Sequence, residues 1–140
     1  MTIKNYNYSH MKSVFLIGFI FGFAFHTSAQ TYIYQRVSIN GKMVKAEGVV
    51  IISDSLIEIR DNINTVRYRL EDSYCEGDGC DHIISDKNLK NNLSLSSYVN
   101  PYFNYNNPEG VCLSVSTLEK GQKVWKNWIF YLIKVKQEFH

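Results

Sequence analysis

The sequence predicts a small, mainly β domain: an antiparallel meander forming a closed or partly open barrel, with a two-layer β-sandwich as the alternative arrangement. At most one short helix is expected, near residues 86–95. Three observations predict this class. Runs of β-branched and aromatic residues recur from Thr31 to Val135, many with period-two alternation. Turn-forming clusters separate these runs at short intervals. Strands close in sequence and joined by brief turns pair most simply as antiparallel neighbours.

The domain begins after a segment of a different kind. Val14 to Phe25 is an uninterrupted apolar run, preceded by Lys12 and followed by His26-Thr27-Ser28-Ala29-Gln30. A basic residue, an apolar stretch and a small-x-small site are the three parts of a secretory signal peptide. The run falls well short of the ~20 residues that a membrane-spanning helix needs. Residues 1–29 are therefore expected to be a cleaved signal, with Met11 a possible true start, and 30–140 a single β domain. The expected location is exported, periplasmic or secreted, with no membrane span after cleavage. Gln30 after the cut, rather than cysteine, excludes a lipid-anchored variant.

Loss of Lys4 and Lys12 with the signal leaves 13 bases against 13 acids in 111 residues. A neutral domain offers no electrostatic footprint for nucleic acid, and none is expected as a partner. The charges are nevertheless uneven. Glu71, Asp72, Glu76, Asp78, Asp81 and Asp86 form an acidic stretch, whereas Lys120, Lys123, Lys126, Lys134 and Lys136 gather near the C-terminus. Such clusters are ordinarily solvated faces.

Along the mature chain, Thr31 to Ile39 reads as a strand with Ile33, Val37 and Ile39 on one parity. Asn40-Gly41 follows as a hairpin turn. Lys42 to Ala46 returns against it, and Gly48 to Ile52 reads as a strand covered on both faces. Leu56, Ile57 and Ile59 interleave with Glu58 and Arg60 in a half-exposed strand; Val66, Tyr68 and Leu70 alternate with Thr65, Arg67 and Arg69. Residues 71–81 read as an acidic loop and His82-Ile83-Ile84 as a short strand. Asp86 caps the candidate helix, in which Leu89 and Leu93 lie four apart. Tyr98 to Asn107 is an aromatic, asparagine-rich loop bounded by Pro101 and Pro108. Val111, Leu113 and Val115 restore strand alternation, with Cys112 on the other parity and expected to be a partly exposed free thiol. Val124 to Val135 is the strongest apolar segment, and its β-branched and aromatic density favours a buried central strand over a helix.

Catalytic resources are thin. Beyond the signal only His82 and the last residue, His140, remain, and neither a Gly-x-Ser-x-Gly elbow, a His-Glu-x-x-His helix nor a glycine-rich phosphate loop occurs. No catalytic residue and no cofactor is assigned. Cys75 and Cys80 flank Glu-Gly-Asp-Gly and read first as a disulfide pinning a loop in an oxidising compartment. A zinc site from Cys75, Cys80, His82 and Cys112 is the alternative, and the loop carboxylates are a further one for calcium. Neither has standard spacing, and no metal is assigned. Asn92-Leu93-Ser94 matches the glycosylation tripeptide, a match common by chance.

One positive feature remains. Tyr98, Tyr102, Phe103 and Tyr105, with Trp125 or Trp128, are expected either to cover the open end of the sheet or to present a stacking surface to a ligand. The functional expectation is a non-enzymatic binding module for a small ligand or partner protein, with Tyr98, Tyr102, Phe103, Tyr105 and Trp125 as its candidate site. An interaction protein pairing through a strand edge is the alternative, followed by an enzyme or metal-binding protein using the 71–82 loop.

Overall fold

The computed structural model describes residues 29–136. They form eight strands: β1 (Gln30–Ile39), β2 (Lys42–Ile52), β3 (Leu56–Arg60), β4 (Thr65–Glu76), β5 (Gly79–Ile84), β6 (Leu93–Val99), β7 (Val111–Thr117) and β8 (Lys126–Lys134). Each strand pairs antiparallel with its chain neighbours, and β8 pairs back with β1 to close the barrel. A barrel rather than a sandwich is thus formed. The signal-like segment, both candidate starts and His140 lie outside the described residues.

The up-and-down path divides the connections between two rims. The upper rim carries the 53–55 turn, the Gly77-Asp78 turn and the 100–110 loop. The lower rim carries Asn40-Gly41 and the connections 61–64, 85–92 and 118–125. Asn40 and Gly41 both take positive φ, 50° and 84°, as the two-residue hairpin turn requires.

Inward-facing side chains fill the barrel. Val37, Val50, Ile57, Leu113, Val115, Phe130 and Leu132 are each 0% exposed. The Tyr34 and Phe130 rings meet edge to face at 5.1 Å between centroids. An eight-stranded barrel is just wide enough to be filled by its own side chains, and this one is.

Two bulges explain where strict alternation misleads. Tyr34 pairs with Leu132 and Val37 with Phe130, so three steps along β1 face two along β8. The extra residue at Gln35-Arg36 flips the parity of β1. Tyr34, Val37 and Ile39 consequently face inward, and Ile33 faces outward, contrary to the shared parity expected of it. A second shift lies at Glu71-Asp72, after which Ser73 pairs with His82. The expected acidic loop 71–81 is therefore a hairpin, turning at Gly77 with φ 59°. Acidic side chains disguised a strand because they stand on its solvent face.

Other expectations also change. Lys42 to Ile52 is one continuous strand, with Val49 and Ile51 on its outer face. Glu58 also faces outward, yet it is 0% exposed, accepting from Arg67 Nε at 2.6 Å and Arg60 Nη2 at 2.5 Å. The candidate helix at 86–95 is absent. Leu89 N donates to Asp86 O and Asn92 N to Leu89 O, giving successive turns before Leu93 enters β6. Asparagines that compete for local backbone bonds favour turns there. In β8, Leu132 and Phe130 face inward, whereas Ile129 lies on the outer, half-buried face.

Candidate functional site

A row of outward-facing residues crosses five strands near the upper rim. Gly79 of β5 pairs with Tyr98 of β6, Tyr98 with Cys112 of β7, and Cys112 with Tyr131 of β8. The bulge in β1 turns Arg36 onto the same surface, its guanidinium carbon 4.5 Å from the Tyr131 ring centroid. Arg36 Nε also donates to Glu109 Oε1 at 2.8 Å, tying the 100–110 loop to the wall.

Beneath this strap Cys112 is 1% exposed. The partly exposed thiol expected from its parity is corrected: it faces outward, but loop and neighbouring side chains bury it. Burial pushes the Cys112 thiol up to about 11, with Tyr98 and Arg36 opposing the rise. Burial, reinforced by Cys112 and Tyr131, likewise pushes Tyr98 up to about 12. A buried thiol held protonated is an inert packing group rather than a nucleophile.

The loop itself is well tied. Asn100 is 2% exposed; its Nδ2 donates to Glu109 O at 2.9 Å and its Oδ1 accepts from Tyr102 N at 3.0 Å. Asn104 and Asn107 exchange backbone bonds at 3.1 Å, and Phe103 N donates to Asn100 O at 3.1 Å. These bonds hold aromatic rings in solvent rather than over the core. Tyr102 is 73%, Phe103 57% and Tyr105 101% exposed.

Beside the loop a shallow groove crosses β4, β5 and β6. Tyr74 and Tyr98 wall it, Gly79 and Ser96 lie between them, and Glu76 and Asp81 supply carboxylates. Ser73, Cys75, Cys80 and Ser97 complete its lining. Gly79 leaves the space between the tyrosines free of a side chain.

On the inner face, His82 joins three strands: Ser73 Oγ lies 2.8 Å from Nδ1 and Ser97 Oγ 2.8 Å from Nε2. Burial lowers its pKa from the ordinary value, with Asp81 opposing. Both ring nitrogens are thus engaged by hydroxyls, and among the described residues no carboxylate is hydrogen-bonded to the ring. Cys75 and Cys80 are joined, at directly paired positions of β4 and β5. That bond is compatible with an oxidising, exported location. Among the described residues no group of three or more His, Cys, Asp or Glu is placed to hold a metal ion.

The structure divides the residues singled out from sequence. Tyr102, Phe103 and Tyr105 stand together on the upper rim, with Tyr98 at the adjoining end of β6 rather than in the loop. Trp125 belongs to the 118–125 connection on the opposite rim, where it lines a separate cleft with Asn40, Gln122 and Val124. Tyr74, Gly79, Arg36 and Glu109 were not indicated by sequence. Each reaches the site through a bulge or a distant pairing that local alternation does not encode.

Fold and surface together define a closed up-and-down β-barrel with a filled interior, in which Tyr34, Tyr68 and Phe130 are buried while Tyr102, Phe103 and Tyr105 stand exposed on the upper rim. No protein-family description, curated protein or solved structure matches the chain.

Proposed function

We propose that this chain is an exported, non-enzymatic binding module that engages a partner protein through the upper rim, using the 100–110 loop and the groove beside it. The observation that carries the reading is the combination of exposure and order in one loop: three rings in solvent on a backbone fixed by its own hydrogen bonds. Rigid tyrosines among asparagines give large contact area with little ordering cost, the composition that antibody loops use. The filled interior turns the reading from a small ligand held inside the barrel toward a partner outside it. Outward Lys45, Glu47, Arg69, Ser94, Ser96, Ser114 and Asn127 interrupt any continuous apolar band around the wall, which supports a barrel surrounded by water. Export is supported by the apolar run before Thr27-Ser28-Ala29 and by the disulfide.

The test places a photo-reactive amino acid at position 105 in cells that express the full chain. One discrete protein adduct, lost when Tyr102 and Phe103 are changed to serine with the melting temperature unchanged, supports the reading. Adducts that are absent or indifferent to those substitutions overturn it.

A further inference from the structure

Each rim carries a local patch of one charge, acidic at the upper β4–β5 hairpin and basic in the lower 118–125 connection, beside Lys134 and Lys136 at the upper end and Asp61, Asp86 and Glu119 at the lower. On the upper rim the β4–β5 hairpin presents Glu76, Asp78 and Asp81, all exposed and without an ion pair among the described residues. On the lower rim Lys120 and Lys123 stand exposed in the 118–125 connection, and neither has an ion pair among the described residues. Each charged patch adjoins exposed apolar surface. Tyr74 is 63% and Val99 50% exposed beside the acids, and Val124 is 77% and Trp125 43% exposed beside the lysines.

From this complementarity we infer that copies of this chain associate head to tail, the Lys120–Trp125 segment of one copy seating in the Tyr74–Tyr98 groove of the next. The inference names the partner and rests on the reading of the upper rim as a binding surface. The groove suits that segment chemically. Tyrosine faces attract an ammonium group, and the Glu76 and Asp81 carboxylates complete its neutralisation. Trp125 and Val124 then cover Tyr74 and Val99, removing from water apolar surface that neither rim can cover alone. Because the two surfaces differ and lie at opposite ends, the contact is heterologous, and it propagates as a chain unless its rotation closes a ring. Charge pairs at a rim act over about a Debye length, so association weakens as salt rises.

Sedimentation velocity of the mature protein over a wide concentration range tests this, with two double variants confined to exposed side chains. Glu76→Ser with Asp81→Ser removes the groove carboxylates; Lys120→Ser with Lys123→Ser removes the lysines. The wild type is expected to pass beyond dimer as concentration rises, and the association constant to fall about tenfold or more between low and high salt. Each variant alone is expected to be monomeric, whereas an equimolar mixture forms dimers and nothing larger, since one intact junction remains. A wild type that stays monomeric, stops at dimer, or associates equally well in both variants overturns the inference. A monomer that still gives a Tyr102- and Phe103-dependent adduct with another protein at position 105 overturns the inference alone and leaves the upper-rim reading standing.

Discussion

The Tyr34 ring lies against its cross-strand partner Gly48, occupying the space into which any side chain at position 48 would project. The Arg60 carbonyl closes the same space from β3, and the Tyr34 hydroxyl reaches toward it at 3.5 Å. Tyrosine over glycine lets β2 pass close to the crowded interior beside the β1 bulge. Burial, with Asp61 adding to it, pushes the Tyr34 phenol up to about 12, so it stays neutral throughout the physiological range.

Gly48→Ala is therefore expected to destabilise the domain by about 3 kcal/mol, the upper part of the range for overpacking, because both obstacles are held by strand pairing. Chemical denaturation measures it. A midpoint equal to wild type would show that the wall yields there.

Leu132 and Ile129 lie on the same strand but on opposite faces. Leu132→Asp places a charge in the filled interior, at a cost of several kcal/mol against a stability of about 5 to 15 kcal/mol, and is expected to unfold the domain. Ile129→Asp, on the half-buried outer face, is expected to fold with a reduced melting temperature. Thermal unfolding of the pair checks the inward assignment; equal losses would contradict it.

His82 makes stability depend on pH. Its folded pKa lies below the ordinary 6.5 because burial disfavours the charged form. As pH falls through 6.5 the unfolded chain takes up a proton that the folded form resists, so stability drops until pH reaches the folded pKa, and then levels. His82→Gln is expected to flatten this part of the denaturation midpoint against pH. An unchanged slope in the variant would assign the dependence to other groups.

The thiols should separate cleanly. Alkylation of the unreduced native protein at pH 8 is expected to label nothing, because Cys112 is buried with its pKa pushed up to about 11 and the other two are joined. Denaturation without reductant should expose Cys112 alone. Replacing Cys75 and Cys80 by serine is expected to cost about 2 kcal/mol or less, since the loop is short and the hairpin already brings its ends together. Rapid labelling of native Cys112 would contradict the strap over the outer wall.

Much of the barrel was legible because period-two alternation and turn chemistry are local. The Asn40-Gly41 hairpin, the inward Val66-Tyr68-Leu70 face and the Cys75–Cys80 bond all follow from neighbouring residues. What escaped depends on distant partners. The bulges at Gln35-Arg36 and Glu71-Asp72 are set by the registers of β8 and β5, and each reverses the facing of everything after it. The same limit joined Trp125 to the tyrosines in sequence reading, although counting the turns of the meander assigns them to opposite rims. The parity of Cys112 gives its outward face correctly, but its burial, at 1% exposure, and the Arg36–Glu109 ion pair across 73 positions are tertiary features that alternation does not encode.

The most direct measurement is hydroxyl-radical footprinting of exposed side chains, comparing the protein in its native setting, in cells that express the full chain, with the same protein purified and dilute. An occupied upper rim predicts that Tyr102, Phe103 and Tyr105 are modified several-fold more slowly in the native setting, while Ile63, 82% exposed on the lower rim, serves as the reference. Equal modification of the three rings in both settings would contradict a binding role for the upper rim.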